Sequence, residues 1–226
     1  MKNFIYLVMV MAACQSPVVF DDTYPKDVEA LDAIPEVYEG VYMCESDSTI
    51  ITINGQHILA LEFNFFEESV QDMNRRVGCT LIEDEVYIDA IEDCIPIEYI
   101  GEDSIRGQYT TVDTLWKLSP YNEVKPYKGS LVLNQRIDKG EVIISFLSLD
   151  SYGNVFYRAI NENSDLDAIS EITDMEEIEV DRNSEPIYKI KPNRKEFDEL
   201  FENEEIFIVC EYLMRVNLEE FPNYIF

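Results

Sequence analysis

The stretch Thr49-Ile-Ile-Thr-Ile-Asn54-Gly55-Gln-His-Ile-Leu-Ala-Leu-Glu-Phe-Asn-Phe65 indicates how this chain folds. The β-branched run at 49–53 favours extended backbone, and Asn54-Gly55 is the strongest short hairpin signal, because both residues tolerate positive φ. After the turn, apolar residues alternate with polar ones and share one face of a strand: Leu59, Leu61, Phe63 and Phe65. The stretch therefore predicts an antiparallel hairpin with one apolar face.

Segments of the same kind follow along the chain, separated by acidic pairs or glycine turns. They cover residues 77–81, 86–88, 95–100, 104–110, 113–118, 129–135, 142–147, 155–159 and 206–214. Short strands at this spacing are typical of an antiparallel meander. We expect the meander to form a sandwich or a partly closed barrel.

Two helices are predicted near the C-terminus. Ser164 is an N-cap candidate with Asp167 three residues on, and Asn193 with Glu196 repeats that arrangement. Apolar residues then fall at helical spacing, which in the second helix gives the stripe Phe197, Leu200 and Phe201. The predicted fold class is thus mainly β (α+β), with two short helices near the C-terminus.

The charge of the chain restricts its partners. Its 226 residues include 46 acidic and 17 basic side chains, for a net charge of −29, yet 46% of the residues are hydrophobic, as in a globular protein. Such a surface repels nucleic acid and anionic lipid headgroups. We interpret the charge as a solubility feature and keep attraction of calcium or a basic partner as the alternative.

The first residues carry an export signal. Lys2 precedes the uncharged run 4–13, which ends in Met11-Ala12-Ala13 directly before Cys14. The run is too short to span a bilayer as a helix. The triplet with Cys14 resembles the lipobox of bacterial lipoproteins. That resemblance implies a signal peptide at 1–13, acyl chains such as palmitate on Cys14, and anchoring to a membrane.

The resemblance also implies a location and a role. It places the protein in the bacterial cell envelope, on the non-cytoplasmic side of a membrane, with the outer membrane favoured over the inner. We expect residues 14–36 to form the lipidated N-terminus and a tether, because Pro17, Pro25 and Pro35 punctuate them. Residues 37–226 would form a single β-rich globular domain with an α/β C-terminal section. The expected function is a non-catalytic binding or structural module, with no nucleic-acid partner.

Four cysteines remain if Cys14 carries lipid. Cys44, Cys79, Cys94 and Cys210 permit no, one or two disulfides outside the cytoplasm. Cys79 and Cys94 flank a candidate hairpin at 82–91, so they are the pair we predict if a disulfide forms, with Cys210 buried and free. None of the four belongs to a Cys-x-x-Cys motif, which argues against a zinc knuckle.

Catalytic and metal-binding motifs are weak in this sequence. His57, the only histidine, stands beside the hairpin turn, and we interpret it as a strand-end residue whose hydrogen bonds are made by the backbone. Residues 161–167 alternate oxygen ligands as a calcium loop does, but Leu166 and Ile172 occupy the positions where an EF-hand needs Gly and Glu. We therefore predict a loop and helix cap there, and no metal or cofactor.

Two other functions remain as alternatives. A hydrolase that uses two carboxylates needs a pair about 5–10 Å apart in a cleft, and the sequence does not single out a pair among its 46 acids. Gly40-Val41-Tyr42 resembles the Gly-x-Trp motif that opens lipocalin-like barrels. That resemblance implies a closed up-and-down barrel that carries a small apolar ligand.

Overall fold

The computed structural model describes residues 16–89, 92–101, 103–137, 140–178 and 186–217. Cys14 and the predicted signal peptide lie outside these residues. The contacts within the chain define two compact units. Unit 1 takes the described residues up to Leu59 and from Thr114 onward, and unit 2 takes Ala60–Asp113.

The chain is mainly β, as predicted, and its helices are short. The strands are β1 (Val18–Phe20), β2 (Gly40–Cys44), β3 (Ile50–Ile53), β4 (His57–Ser69), β5 (Cys79–Ile82), β6 (Glu85–Ile88), β7 (Asp93–Ile100), β8 (Ser104–Lys117), β9 (Asn122–Tyr127), β10 (Ser130–Arg136), β11 (Val142–Leu149), β12 (Val155–Ala159), β13 (Met175–Ile178), β14 (Ile187–Ile190) and β15 (Ile208–Arg215). The helices are α1 (Val70–Met73), α2 (Leu166–Ile172) and α3 (Arg194–Glu202). The last two are the predicted C-terminal helices, whereas α1 was not predicted.

The strand order is open. In unit 1 the order is β13-β14-β1-β11-β12-β15-β2-β3, and β10 and β9 extend from β11. In unit 2, β7, β6 and β5 follow β8. The sheet is mostly antiparallel and is not closed into a barrel, so the closed barrel implied by the lipocalin-like resemblance is not formed. One parallel pair joins β1 to β14, with Val18 opposite Tyr188.

The predicted hairpin forms with different turn chemistry. β3 ends at Ile53 and β4 begins at His57, as expected. Neither Asn54 nor Gly55 has positive φ. Instead the Asn54 side chain accepts hydrogen bonds from the backbone N–H groups of Gln56 and His57, both at 2.9 Å. Asn54 therefore closes the turn through its side chain.

Residues 16–36 do not form the predicted tether. Val18, Val19 and Phe20 are almost completely buried, and β1 pairs with both β14 and β11. Tyr24 is also buried, at 2% exposure. The prolines that suggested a spacer lie in a segment whose apolar residues enter the core, and burial of those side chains outweighs the tendency of the prolines to keep the segment extended in solvent.

Aromatic side chains fill the core of unit 1. Phe197 of α3 stacks on Tyr24 with ring centroids 4.9 Å apart, and Phe146 of β11 meets Phe207 edge-on at 4.5 Å. Asn193 and Glu196 form the predicted capping box of α3. The cap of α2 is Asp165 rather than the predicted Ser164, because the Asp165 side chain accepts the hydrogen bond from Ala168 N–H.

Candidate functional site: an open groove on unit 2

The buried side chains described for unit 2 lie against one face of its sheet. Met73, Val86 and Ile105 form its core cluster, and Ala60 and Ile95 are also buried. Partly buried residues surround them: Phe66, Val70, Cys79, Leu81, Ile88 and Ile97. A core of this size covers one side of the strands, so the opposite side carries the exposed residues.

The exposed side of β4, β7 and β8 forms a groove. Because side chains alternate along a strand, every second residue of these strands lies on the face opposite the core, and six of these residues line the groove. They are Phe65, Glu67, Pro96, Glu98, Arg106 and Gln108. Together with Phe66, Ile97 and Gly107 they line a groove of about 780 Å³. This volume is in the range of ligand sites.

Gly107 fixes the packing beneath the groove. A Cβ at this position would lie 2.5 Å from Cζ of Phe66 and 3.3 Å from Cγ2 of Ile97. Real Cβ atoms do not approach a ring so closely, so the Phe66 ring occupies the space that a side chain at position 107 would need. The missing side chain lets an aromatic ring lie directly against the backbone of β8.

An ion pair lies at the centre of the groove. Glu98 and Arg106 are directly opposite each other on β7 and β8. Nε and Nη2 of Arg106 donate to Oε2 of Glu98 at 3.0 and 2.7 Å. The hydrogen bonds that Arg106 donates to this carboxylate raise the pKa of Arg106, and the charge of Glu67 makes a smaller contribution. Since both side chains are more than half exposed, the pair orients the groups more than it stabilises the fold.

The charge around the groove is negative. Between residues 60 and 113 the sequence has 14 acidic side chains, three arginines, and no lysine or histidine. Arg106 is paired with Glu98, and Arg76 is paired with Glu68 at 2.7 Å. The unit therefore attracts cations and repels anions. Among the described residues, no group of three or more His, Cys, Asp or Glu side chains could hold a metal ion.

Cys79 and Cys94, the pair predicted if any disulfide forms, are not joined to each other in the structure. Both are free thiols, and β6 lies between the strands that carry them. Cys79 is opposite Ile88 and Cys94 is opposite Tyr87, so the two thiols point to opposite faces. Strands two positions apart are separated by about 9.5 Å. A disulfide needs Cα atoms closer than about 7 Å, so this sheet prevents the bond.

Cys210 and Cys44 are the other two described cysteines. Cys210, predicted to be buried, is half-buried, and its sulfur accepts a hydrogen bond from Nδ2 of Asn161 at 3.6 Å. Cys44 is buried, and burial raises its pKa to about 12, with the carboxylates of Glu211 and Asp47 adding to the effect. At neutral pH Cys44 is therefore a protonated, poorly nucleophilic thiol.

The remaining motifs have local structural roles. His57 begins β4, and its backbone N–H bonds to the turn residue Asn54. In the loop that resembles a calcium site, Asn161 Oδ1 accepts from Asn163 N–H, and the Asp165 side chain caps α2. These oxygens serve the loop and the helix cap.

A polar network of unit 1 was not predicted. Partial burial alone would raise the pKa of Asp150, but hydrogen bonds from Asn154, Tyr212 and the N–H of Tyr152 lower it to about 2. Asn154 Oδ1 in turn accepts from the backbone N–H of Arg215. The turn residues Asp150 and Asn154 are a sequence signal for this network, but their partner Tyr212 is 62 residues from Asp150.

Comparison of the chain with protein-family models, with curated proteins and with solved structures gives no match. None of the helices in the described part of the chain is both long enough and apolar enough to cross a membrane. What the fold and the site define is a mainly β protein with an open, acidic groove on its smaller unit.

Proposed function

We propose that this protein is a lipid-anchored binding module of the bacterial cell envelope. Acyl chains on Cys14 hold it to a membrane on the non-cytoplasmic side, and the groove of unit 2 receives its partner. The outer membrane is the favoured location. Attachment rests on the acyl chains, because a chain with a net charge of −29 is repelled by anionic headgroups.

The observation that carries the anchor is the triplet Met11-Ala12-Ala13 before Cys14, after an uncharged run of export-signal length. The short distance from Cys14 to the first strand limits how far the folded protein can lie from the membrane. β1 begins at Val18, four residues after Cys14. Four residues span at most about 14 Å when fully extended. The acylated protein would therefore keep β1 close to the bilayer surface.

The groove supports a binding role. Phe65 is 68% exposed, and a large aromatic side chain at the surface is a feature of interaction sites when it lies in a groove. Beside it stand Glu67, Glu98 and Arg106, which supply directional polar contacts. Apolar surface with a few charged groups is the usual composition of a recognition site.

Fractionation of cells that express Cys14→Ser tests the anchor. The wild-type protein and a matched Cys94→Ser variant are expected in the membrane fraction and to incorporate an alkynyl palmitate analogue. Cys14→Ser is expected in the soluble fraction without label, because two or more acyl chains on Cys14 supply the stable attachment. If Cys14→Ser stays with membranes after a high-salt wash, the proposed anchor is wrong.

A further inference from the structure

We infer that the groove of unit 2 binds an extended, cationic protein segment, and that it does so through an Arg or Lys side chain placed over Phe65 between Glu67 and Glu98. This inference deepens the proposed binding function by naming the chemistry of the partner. It rests on three features of the groove, namely its charge, its exposed aromatic ring and its carboxylate geometry.

Charge selects a cationic partner. The three arginines of unit 2 stand against 14 carboxylates. Arg76 and Arg106 are already paired within the unit, with Glu68 and Glu98. An anionic ligand would have to displace Glu98 from Arg106 and would meet Glu67 beside it. A cation does not have to break the Glu98–Arg106 pair, and the negative electrostatic potential of unit 2 attracts it toward the groove.

Phe65 provides a surface for the cation and its stem. A guanidinium or ammonium group over an aromatic face is stabilised by about 0.5–1 kcal/mol at exposed sites. Long basic side chains also cover apolar surface with their methylene groups while the charged end stays hydrated. Pro96 on β7 extends the apolar surface next to Phe65. The groove thus matches both parts of an Arg or Lys side chain.

Glu98 keeps one carboxylate oxygen available to a ligand. Both hydrogen bonds from Arg106 end on Oε2. Oε1 takes no part in those two bonds, while Arg106 holds the carboxylate in a defined orientation. A bound cation can therefore use Oε1 without breaking the internal pair. Charge-assisted bonds of this kind are about twice as strong as neutral ones.

The openness of the groove favours a protein segment over an enclosed small molecule. Glu98 and Arg106 keep 66% and 56% of their side-chain surface exposed, and Phe65 keeps 68%. Small-molecule sites commonly bury most of the ligand. A face made of three adjacent strands instead gives an extended segment a row of contacts along its length.

The test uses the purified protein with Cys14→Ser, which keeps it in solution. The probe is a fluorescein-labelled decapeptide with alternating Arg and Val, and the measurement is fluorescence anisotropy in 0.05 M NaCl. We expect saturable one-to-one binding that weakens at least fivefold in 0.3 M NaCl. A peptide with Glu in place of every Arg is expected not to bind.

Two groove variants separate the aromatic from the electrostatic contribution to binding. Phe65→Leu keeps apolar volume but removes the ring, and we expect about threefold weaker binding. Glu67→Gln with Glu98→Gln is expected to weaken binding about tenfold or more. The matched controls are Tyr152→Ala and Glu162→Gln, both exposed on unit 1 and expected to leave the affinity unchanged. Circular dichroism and the thermal midpoint establish that each variant is folded.

Three results would overturn the inference. The first is that Glu162→Gln weakens peptide binding as much as the groove variants do. The second is that no groove substitution changes the affinity. The third is that the Glu peptide binds as tightly as the Arg peptide. The binding measurements use a protein without the anchor. Their outcome is therefore independent of the fractionation experiment that tests the anchor. If the peptide does not bind the groove but the fractionation gives the expected result, the protein is membrane-anchored and its partner binds at another surface.

Discussion

The side chain of Asn134 bonds to both backbone groups of Tyr24, 110 residues earlier in the chain. The N–H of Tyr24 donates to Oδ1 at 2.7 Å, and Nδ2 of Asn134 donates to the Tyr24 carbonyl at 2.8 Å. Lys125 adds a second link, because its Nζ donates to the Thr23 hydroxyl and to the Pro25 carbonyl. The segment after β1 is therefore fastened to β9 and β10 by side chains that are themselves buried.

Replacement of Asn134 by Ala is expected to lower the free energy of unfolding by about 2–4 kcal/mol. The substitution leaves two buried backbone groups of Tyr24 without their partner, and each unmade bond costs about 1–3 kcal/mol. Urea denaturation followed by circular dichroism measures the change. Asn163→Ala, at an exposed position, is the control and should change stability by less than about 0.5 kcal/mol. An Asn134→Ala protein as stable as this control would mean that the link to Tyr24 contributes nothing.

Gly107→Ala is expected to destabilise the protein by about 1–3 kcal/mol, because the new Cβ would overlap the ring of Phe66. The double variant with Phe66→Leu should recover part of that loss, since the smaller side chain vacates the space. Thermal and urea unfolding of the two single variants and the double variant give the coupling energy. Additive losses would show that the ring and Gly107 do not compete for the same volume.

Protonation of Asp150 should contribute to the loss of folding stability at low pH. Its folded-state pKa is about 2, below the ordinary value of 3.8. A carboxyl group with a lowered pKa stabilises the fold above its unfolded pKa, and this contribution disappears as the pH falls through the folded value. We therefore expect Asp150→Asn to remove part of the stability loss between about pH 4 and pH 2. Carbon-detected NMR titration of Asp150 checks the pKa, and a value near 3.8 would contradict this expectation.

Cys44, Cys79 and Cys94 should react as free thiols. Peptide mapping without reduction is expected to find no link between Cys79 and Cys94, because β6 separates their strands. Towards a thiol reagent at pH 8, Cys44 should react last, since burial excludes the reagent and raises its pKa to about 12. Rapid modification of Cys44 in the folded protein would show that its environment opens readily.

Salt should raise the thermal midpoint of this protein. Acidic residues crowd unit 2, and like charges on neighbouring strands repel by up to about 1 kcal/mol per close pair at low ionic strength. Addition of 0.15 M NaCl screens this repulsion over roughly 8–10 Å. Millimolar calcium at matched ionic strength is expected to add nothing further. A saturable extra rise with a defined stoichiometry would reveal a specific calcium site.

Features that depend on neighbouring residues could be predicted from the sequence alone. The strands and the turn of the hairpin at 49–65 follow from residues within one short window. The buried face of β4 does not, because Ile58 and Ala60 are buried whereas Phe65, on the predicted apolar face, is 68% exposed. The capping box of α3 is equally local, because Asn193 and Glu196 are three residues apart. The high strand content of the chain and its negative charge could also be predicted, because they depend on local patterns and on composition.

Strand pairing, and the contacts that follow from it, depend on residues far apart in the chain and are seen only in the tertiary structure. Proline spacing predicted a tether at 14–36, but the pairing of β1 with β14 and β11 draws Val18–Phe20 into the core. Proximity in sequence suggested a bond between Cys79 and Cys94, but strand order placed β6 between them. The groove likewise combines Phe65, Glu98 and Arg106 from three strands. Local propensity does not specify which strands pair, because that choice depends on how the apolar surfaces of distant segments are buried together.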